Sequence, residues 1–453
     1  MIRSVNPATG KSLSTYDLHT AEEVDAALDA AVTAQAEWRE KPLAERVELL
    51  RELAAVLRAG SAEYARLITE EMGKPLAEAE AEIEKCALNC VHYAEHAAEY
   101  LAERPVLAEA SVVAEPLGVV LAVMPWNYPF WQFFRFAAPA LAAGNGAILK
   151  HATNVPGCAL AIEDVFRKAS APAGLVRALL VDVGEVAKLI ADDRIAAVTL
   201  TGSTRVGALV ASQAGAALKK QVLELGGSDP FVVLADADVP AAAETAVRAR
   251  FLNNGQSCVN AKRFIVDEAV ADEFAEAFTA AVERLRVGDP AEAGTTVGPL
   301  AREDLRDGLD DQVRRTVAAG GVLRTGGEPV AGPGYFYAPT VLDRVKPGMA
   351  AFDEETFGPV AAIVRVSGDD EALALANDTE FGLGAAVWTR SSERAQRFAK
   401  GLQAGAVFVN SMVASDPRLP FGGIKKSGYG RELGADGIRE FVNVKTVWFG
   451  GTR

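Results

Sequence analysis

The sequence predicts an α/β protein with two lobes, each built on a largely parallel sheet. The chain has 453 residues, more than one hydrophobic core usually supports. In the first half, short apolar runs typical of strands buried on both faces alternate with helical patterns. A second series of the same kind follows in the second half. Strands that alternate with helices form parallel sheets, so each series predicts one lobe.

The first hundred residues predict amphipathic helices. Ala, Glu, Leu and Arg predominate between residues 20 and 103, and apolar residues recur there at spacings of three and four, as at Val47, Leu50, Leu53 and Leu57. This spacing places the apolar side chains on one face of a helix.

The first sheet is predicted from five apolar strands, which follow a short extended stretch at 112–116. They cover residues 119–123, 147–150, 197–200, 222–224 and 231–234. Helical patterns at 156–168 and 206–218 separate several of them. Ligands of parallel sheets bind at the carboxyl ends of the strands, so we expect functional residues there.

The second lobe begins near Ala241. Its predicted elements are a helix at 241–252, a strand at 263–267, a helix at 269–285, and strands at 361–366, 385–389 and 406–410. The last stretch, 441–449, also predicts a strand, but with no obvious partner of its own. Such a strand often pairs across a subunit interface, which we expect here.

Composition narrows the function. The formal net charge of −15 argues against nucleic acid as a partner, since no basic patch offsets phosphate repulsion. Four cysteines are too few for a disulfide framework, and no apolar stretch has the length of a signal peptide or membrane span. We therefore expect a soluble cytoplasmic protein that does not bind a membrane. His92 and His96 share a helix face, but the pattern favours packing, so we expect no metal.

Three strand ends carry polar residues with a possible chemical role. The first strand ends in Met-Pro-Trp-Asn-Tyr-Pro, where the Asn127 amide is either a turn residue or a donor to developing negative charge. Lys150 ends the next strand, as a phosphate or ribose ligand or as a solvated lysine. Thr-Gly-Ser at 201–203 opens a helix, as a simple cap or as a pyrophosphate site.

Cys258 stands in the segment Asn-Asn-Gly-Gln-Ser-Cys, between the motifs Glu-Leu-Gly-Gly at 224–227 and Glu-Glu-Thr-Phe-Gly-Pro at 354–359. Taken alone, it is either a small buried hydrophobic residue or a nucleophile. A separate carboxylate that activates water would complete covalent aldehyde chemistry.

The order of these motifs decides between the alternatives. Pro-Trp-Asn, Lys, Thr-Gly-Ser, Glu-Leu-Gly-Gly, Gly-Gln-Ser-Cys, Glu-Thr-Phe-Gly-Pro and Pro-Phe-Gly-Gly at 420–423 follow one another along the chain. With this order the chain resembles the aldehyde dehydrogenase superfamily over essentially its whole length. The resemblance implies a Rossmann-like cofactor lobe, a catalytic lobe and a small oligomerisation hairpin. It implies an NAD(P)-binding domain of residues 1–104 and 119–230, a catalytic domain of residues 231–425, and oligomerisation segments at 105–118 and 426–453.

The resemblance also implies roles for individual residues. Cys258 attacks the aldehyde, Asn127 and the Cys258 backbone N–H hold the oxyanion, and after hydride transfer to the nicotinamide Glu224 activates the water that hydrolyses the thioester. The implied cofactor-binding residues are Pro125, Trp126, Lys150, Thr153, Gly202, Ser203, Leu225, Glu355 and Phe357. The implied assembly is a homodimer or homotetramer.

Two residues point to the substrate. Arg135 is a single charge in the aromatic stretch 131–136, and a carboxylate at the far end of a substrate would be its partner. With Ser415, it resembles the succinate-semialdehyde dehydrogenase branch, in which both residues are expected to bind that carboxylate. The alternative is a structural ion pair for Arg135.

Two positions depart from the pattern of many relatives. Thr153 replaces a glutamate that would repel a 2′-phosphate, so we expect NADP to be preferred, with NAD also accepted. Phe136 replaces a lysine, so a proton relay through it to Glu432 is not implied, and Glu432 is interpreted as an ion-pair partner.

The sequence thus predicts an NADP-preferring oxidation of succinate semialdehyde to succinate. One alternative is a broader aldehyde dehydrogenase for medium-chain or aromatic aldehydes, with Trp131, Phe133 and Phe134 lining the tunnel. Another is a CoA-acylating enzyme, against which Glu224 argues.

Overall fold

The computed structural model describes residues 1–450. Its helices are α1 (Ala21–Arg39), α2 (Leu43–Ala59), α3 (Ser61–Met72), α4 (Leu76–Tyr100), α5 (Trp131–Ala142), α6 (Pro156–Lys168), α7 (Val186–Ala191), α8 (Thr204–Ala216), α9 (Val239–Phe251), α10 (Glu268–Val282), α11 (Glu303–Ala318), α12 (Ala350–Asp353), α13 (Gly368–Asn377), α14 (Ser392–Gly401) and α15 (Gly434–Arg439). Its strands are β1 (Ile2–Asn6), β2 (Lys11–Tyr16), β3 (Arg104–Leu107), β4 (Ala110–Pro116), β5 (Val119–Met124), β6 (Gly146–His151), β7 (Val176–Ala178), β8 (Ile195–Thr201), β9 (Lys220–Glu224), β10 (Asp229–Val233), β11 (Ala261–Asp267), β12 (Val322–Thr325), β13 (Thr340–Asp343), β14 (Val360–Val366), β15 (Gly384–Trp388), β16 (Ala406–Val409), β17 (Gly428–Tyr429) and β18 (Val442–Trp448).

The first lobe contains a six-stranded sheet in the order β17-β9-β8-β5-β6-β7. Strands β5 to β9 are parallel, and only the short β17 is antiparallel to its neighbour. Side chains of α1 and α7 pack on one face, and those of α2 to α6 pack on the other. Because all five long strands run in one direction, their carboxyl ends meet along one edge of this sheet.

The second lobe contains a seven-stranded sheet in the order β12-β13-β14-β11-β10-β15-β16. Only the edge strand β12 is antiparallel to its neighbour. Helices α9 and α10 cover one face, and α11, α13 and α14 cover the other. The predicted α/β class with two parallel-sheet lobes is confirmed. The strand at 231–234 was expected in the first sheet, but as β10 it lies between β11 and β15, so the second sheet begins before Ala241 and that expectation is wrong.

The terminal strand β18 differs from its prediction. It pairs antiparallel with β4 of the same chain, from Val442 opposite Pro116 to Trp448 opposite Ala110, in a three-stranded sheet β18-β4-β3. The expectation that this strand lacks a partner in its own chain is therefore wrong. The two strands are far apart in sequence, so no local pattern reveals their pairing.

The amino-terminal region combines one predicted and one unpredicted feature. Helix α1 begins at the predicted place because Thr20 and Glu23 form a reciprocal cap, with each side chain accepting a hydrogen bond from the other residue's backbone N–H. The hairpin of β1 and β2 precedes it and was not predicted, since its second strand is almost entirely exposed. None of the helices within residues 1–450 combines the length and apolar character of a membrane span.

Candidate active site

The carboxyl edge of the six-stranded sheet gathers four of the predicted residues. Asn127 follows β5, Lys150 lies at the end of β6, Ser203 follows β8, and Glu224 is the last residue of β9. The register aligns these ends, with Val123 opposite both Lys150 and Leu200, and Thr201 opposite Glu224. The four residues predicted from separate strand ends therefore share one edge, and their roles stay predictions.

The second sheet presents its opposite edge. Cys258 lies just before β11, Glu355 precedes β14, and these two strands are parallel neighbours. These residues stand at the amino ends of their strands, opposite to the arrangement in the first lobe. The candidate site therefore lies where the carboxyl edge of one sheet meets the amino edge of the other.

A left-handed turn leads into Cys258. Asn253, Asn254 and Gly255 have φ angles of 56°, 56° and 71°, a region that costs most residues about 1–2 kcal/mol each. The side chain of Asn254 stabilises the turn, because its Nδ2 donates to Gly73 O at 2.8 Å and its Oδ1 accepts from Gly298 N at 2.7 Å. A Cβ on Gly255 would lie 2.2 Å from a backbone oxygen, so only glycine fits there.

The Asn127 amide faces the segment that carries Cys258. Its Nδ2 donates to Gln256 O at 2.9 Å, and its Oδ1 accepts from Gln132 Nε2 at 3.1 Å. Asn253 Nδ2 donates to Asn127 O at 2.8 Å and ties the two segments together again. One N–H of Asn127 is thus engaged with the protein, and the second is available to a ligand.

Lys262 is a site residue that the sequence reasoning missed. It is fully buried on β11, and its ammonium donates to Cys258 O at 2.8 Å and to Ser257 O at 3.0 Å. It also lies 3.7 Å from Glu355 Oε1, which accepts from Gly227 N at 3.0 Å. The available signal was the pair Lys262-Arg263 at the start of an otherwise apolar strand.

Cys258 differs from the other cysteines. Cys86, Cys90 and Cys158 are buried, whereas Cys258 keeps partial exposure. The surrounding protein still raises the pKa of its thiol to about 12 through burial, while the charges of Arg135 and Lys262 favour the thiolate. Burial and these two cations therefore act on the thiol in opposite directions, and the cations favour its ionised form.

Glu224 has a buried carboxyl group whose two oxygens form no hydrogen bonds within residues 1–450. Burial raises the pKa of Glu224 well above its ordinary value, and the charge of Glu432 raises it further, whereas Arg135 lowers it. A Cβ on Gly422 would lie 2.7 Å from Glu224 Oε1. An acid without partners, beside a partly exposed thiol, has the properties of a proton acceptor for a water molecule.

The comparisons with known proteins agree with this geometry. The model of the aldehyde dehydrogenase family matches residues 1–447. The chain belongs to the aldehyde dehydrogenase family.

Similar proteins share this chain's full length. A Synechocystis protein named a probable succinate-semialdehyde dehydrogenase [NADP(+)] is 52% identical over 450 residues, which are 99% of each chain. The Escherichia coli K12 succinate semialdehyde dehydrogenase [NAD(P)+] Sad is 50% identical over 98% of this chain and 97% of its own. The crystal structure of the Streptococcus pyogenes succinic semialdehyde dehydrogenase with NADP+ has a TM-score of 0.97 at 37% identity and covers 100% of both chains.

In this aldehyde dehydrogenase, Arg135 is not a free cation. It is buried and forms an ion pair with the buried Glu432. Its Nη2 donates to Thr201 Oγ1 at 3.3 Å, and its guanidinium lies 4.7 Å from the ring centroid of Phe421. The interpretation of Glu432 as an ion-pair partner agrees with this contact. The role of Arg135 toward a substrate stays a prediction.

Ser415, the other predicted substrate residue, lies in the loop that follows β16. Its Oγ accepts a hydrogen bond of 2.6 Å from Lys85 Nζ of α4. Arg135 and Ser415 have no direct hydrogen bond to each other within residues 1–450. Lys85 was missed because a single lysine on a helix carries no motif.

The predicted cofactor residues surround the carboxyl edge. Ser203 caps α8, where its Oγ accepts from Val206 N at 3.4 Å. The ring centroids of Trp126 and Phe357 are 5.8 Å apart in an edge-to-face arrangement. Lys150 is buried, and burial lowers the pKa of its ammonium. Thr153 is exposed in the turn after β6.

The remaining cofactor positions have structural contacts as well. Leu225 is buried, and a Cβ on Gly207 would lie 2.4 Å from its side chain. Pro125 is half-buried in the loop after β5, and Gly202 N donates to Glu224 O at 3.0 Å. Their roles toward a cofactor stay predictions.

Two of the aromatic residues named for a broad substrate tunnel belong to the core. Phe133 and Phe134 are fully buried, and both rings pack on Phe166. The premise that they line a tunnel is therefore wrong, whereas Trp131 contacts Lys85. Within residues 1–450, no three His, Cys, Asp or Glu side chains are arranged to hold a metal ion.

Proposed function

We propose that this aldehyde dehydrogenase oxidises succinate semialdehyde to succinate, with NADP+ as the preferred hydride acceptor and NAD+ as an alternative. The observation that carries the proposal is the placement of Cys258 between the Asn127 amide, the unpartnered Glu224 carboxyl group and the Arg135 cation. The named activities of the similar Synechocystis, E. coli and S. pyogenes proteins support it.

The first half of the reaction uses the Cys258 thiolate. Its sulfur forms a bond to the aldehyde carbon as the carbonyl π electrons move onto oxygen. The free N–H of Asn127 and the backbone N–H of Cys258 stabilise that oxyanion. Bound NADP+ supplies the acceptor for the hydride that leaves this carbon.

The second half uses Glu224. Its carboxylate takes a proton from water, the water oxygen attacks the thioester carbon, and the C–S bond breaks to release succinate and the thiolate. The raised pKa of Glu224 brings this base closer to neutral pH and makes proton transfer more favourable. Hydrolysis makes the overall oxidation irreversible.

The residues at the carboxyl edge fit a phosphorylated dinucleotide. The first turn of α8 offers free backbone N–H groups to a pyrophosphate, next to the Ser203 cap. The Lys150 side chain forms no hydrogen bond or ion pair with residues 1–450, so its ammonium is available to an adenosine ribose or its phosphate. The neutral Thr153 adds no repulsion toward a 2′-phosphate. Glu355 and Phe357 would hold the nicotinamide ribose and ring.

Arg135 and Ser415 stay the predicted ligands of the substrate carboxylate. Arg135 already pairs with Glu432, so a substrate carboxylate would share its guanidinium with that acid. Comparing kcat/KM for succinate semialdehyde and butanal in wild type and Arg135→Ala tests this role. An equal loss of kcat/KM for both substrates would show that Arg135 has a structural role only.

We also propose that the protein is a homo-oligomer, with the three-stranded sheet as its contact surface and the domain limits predicted above. Exposed apolar side chains on this sheet support the proposal, among them Val106, Val444 and Trp448. Light scattering on the protein as it elutes from a size-exclusion column measures the mass of the assembly. A monomer mass would overturn the proposed homo-oligomer.

The experiment that tests the function is a panel of initial rates. Succinate semialdehyde, butanal and benzaldehyde are assayed with NADP+ and with NAD+, with and without CoA. The proposal requires the highest kcat/KM for succinate semialdehyde with NADP+, and no CoA requirement. A higher kcat/KM for butanal or benzaldehyde would overturn the substrate assignment, and a higher one for NAD+ would overturn the cofactor preference.

A further inference from the structure

Lys85 belongs to α4 and lies where this helix packs against the loop that carries Ser415. Its ammonium donates to Ser415 Oγ at 2.6 Å and stands 4.4 Å from the ring centroid of Trp131, the first residue of α5. Arg135 follows Trp131 one turn later on the same helix. Lys85 thus stands between the two residues predicted to bind the substrate carboxylate.

The two cations of this region differ in how their charge is compensated. Arg135 has the buried carboxylate of Glu432. Lys85 forms no ion pair with a carboxylate of residues 1–450. The nearby acid of its own helix, Glu82, is already paired with Lys74 and accepts from the first backbone N–H groups of α5. A sheltered ammonium without a counter-ion favours the binding of an anion.

We propose that Lys85, together with Ser415, binds the carboxylate of the aldehyde substrate. This inference rests on the proposed function and adds a specificity-determining residue to it. The ammonium has three donors and uses one on Ser415, while the Ser415 hydroxyl keeps its own hydrogen to donate. One carboxylate oxygen can therefore accept from Lys85 and the other from Ser415.

Contacts link the Cys258 segment to Lys85 and Ser415. Asn127 contacts the Cys258 segment, and Trp131, four residues later at the start of α5, lies under the Lys85 ammonium. Cys258 packs against the same apolar cluster that contains Trp131 and Phe421. The proposal requires a short aldehyde with a terminal carboxylate to reach from the nucleophile to the cation along these residues.

The protonation of Lys85 provides a separate signature. Burial, together with the like charge of Arg135, lowers the pKa of its ammonium to about 8. The titratable and charged groups around it are Arg135, Lys74, Glu82 and Cys86, with the Asp416–Arg418 ion pair beside Ser415. Only the protonated amine attracts a carboxylate, so the KM for succinate semialdehyde should rise as the pH increases beyond this pKa.

The test compares succinate semialdehyde with butanal, which has the same chain length and no carboxylate, in wild type, Lys85→Met and Lys85→Arg. Lys85→Met should lower kcat/KM for succinate semialdehyde about 10- to 100-fold, mainly through KM, as expected for the loss of a charged hydrogen bond. Butanal should change by no more than about twofold. Lys400→Met, an equal charge change on the exposed face of α14, should leave both substrates unaffected.

Lys85→Arg separates charge from packing. Arginine stays protonated, so this variant should keep the preference for succinate semialdehyde and lose the increase of KM above pH 8. The variant also keeps the test decisive if Lys85→Met does not fold. A preference for succinate semialdehyde over butanal that survives unchanged in Lys85→Met overturns the inference.

Failure of this inference is distinguishable from failure of the proposed function. If wild type prefers succinate semialdehyde and Lys85→Met keeps that preference, or loses both activities equally, Lys85 is not a carboxylate ligand and the function stands. If wild type does not prefer succinate semialdehyde over butanal, the proposed function fails, and the role of Lys85 fails with it.

Discussion

Truncation of Asn127 to alanine tests the centre of the proposed chemistry. The amide N–H that is not engaged with Gln256 is the predicted oxyanion donor. Removing one such donor typically costs about 2.7–4 kcal/mol of transition-state stabilisation. Asn127→Ala should therefore lower kcat about 100- to 1000-fold.

The same substitution has a separate and smaller effect on stability. It removes two buried neutral hydrogen bonds, one to Gln256 O and one from Gln132 Nε2, each of which contributes about 1 kcal/mol. Gln256 O keeps its bond of 3.0 Å from Asn253 Nδ2, so only Gln132 loses its partner. The free energy of unfolding should fall by about 1–2 kcal/mol, which leaves the protein folded.

Two measurements separate these effects. Steady-state kcat at saturating aldehyde reports the chemistry, and urea denaturation reports the stability. Gln132→Leu is the matched control, since it removes the bond that orients Asn127 but leaves the donor, and its kcat should fall by only about tenfold. If Asn127→Ala keeps kcat within tenfold of wild type while Cys258→Ala is inactive, the amide does not hold the oxyanion.

Four further predictions concern the same site. Glu224→Gln should give a burst of reduced cofactor in the first turnover, because acylation proceeds without the base for hydrolysis. Its steady-state kcat should fall at least about 100-fold. A rapid-mixing trace without a burst would contradict this prediction. Since burial raises the pKa of Glu224 and the ionised form is the base, kcat of wild type should fall as the pH decreases through that raised pKa, and an acid limb at the ordinary carboxyl pKa of 4.5 would refute it. Thr153→Glu should lower kcat/KM for NADP+ about tenfold or more and leave NAD+ nearly unchanged, measured with one aldehyde; an equal loss for both would show that the charge at this position does not select the cofactor. Glu432→Gln should reduce the unfolding free energy by about 3–5 kcal/mol, because it leaves Arg135 buried without its partner. The double variant Arg135→Met with Glu432→Leu should recover most of this loss, as measured by denaturant unfolding. If the single and the double variant lose the same unfolding free energy, the ion pair does not have this effect.

The candidate residues at the carboxyl edge of the first sheet were predictable from sequence. Asn127, Lys150 and Ser203 each come directly after a buried apolar strand, and parallel strands align their carboxyl ends. Local pattern and a general rule of α/β folds were sufficient there. The cap of α1 at Thr20 was similarly local.

The rest of the site depends on contacts between distant segments. Cys258 stands at the amino end of β11, and no periodicity says that two sheets meet with opposite edges. Lys85 resembles a solvated lysine on an amphipathic helix, and only the packing of α4 against α5 and the Ser415 loop reveals its shelter. The ion pair of Arg135 required the same kind of long-range information, since Glu432 lies near the opposite end of the chain.

The left-handed turn before Cys258 links the chemistry to the order of folding. The hydrogen bonds that hold the Asn254 side chain come from the loop after α3 and from residues 298–299. This clamp therefore needs both segments to hold the turn. Without the clamp, three consecutive residues in this conformation would relax to lower-energy backbone angles. A nascent chain that ends before residue 298 therefore lacks half of the support for its nucleophile. The thiol therefore acquires this backbone setting only once both lobes have assembled around it.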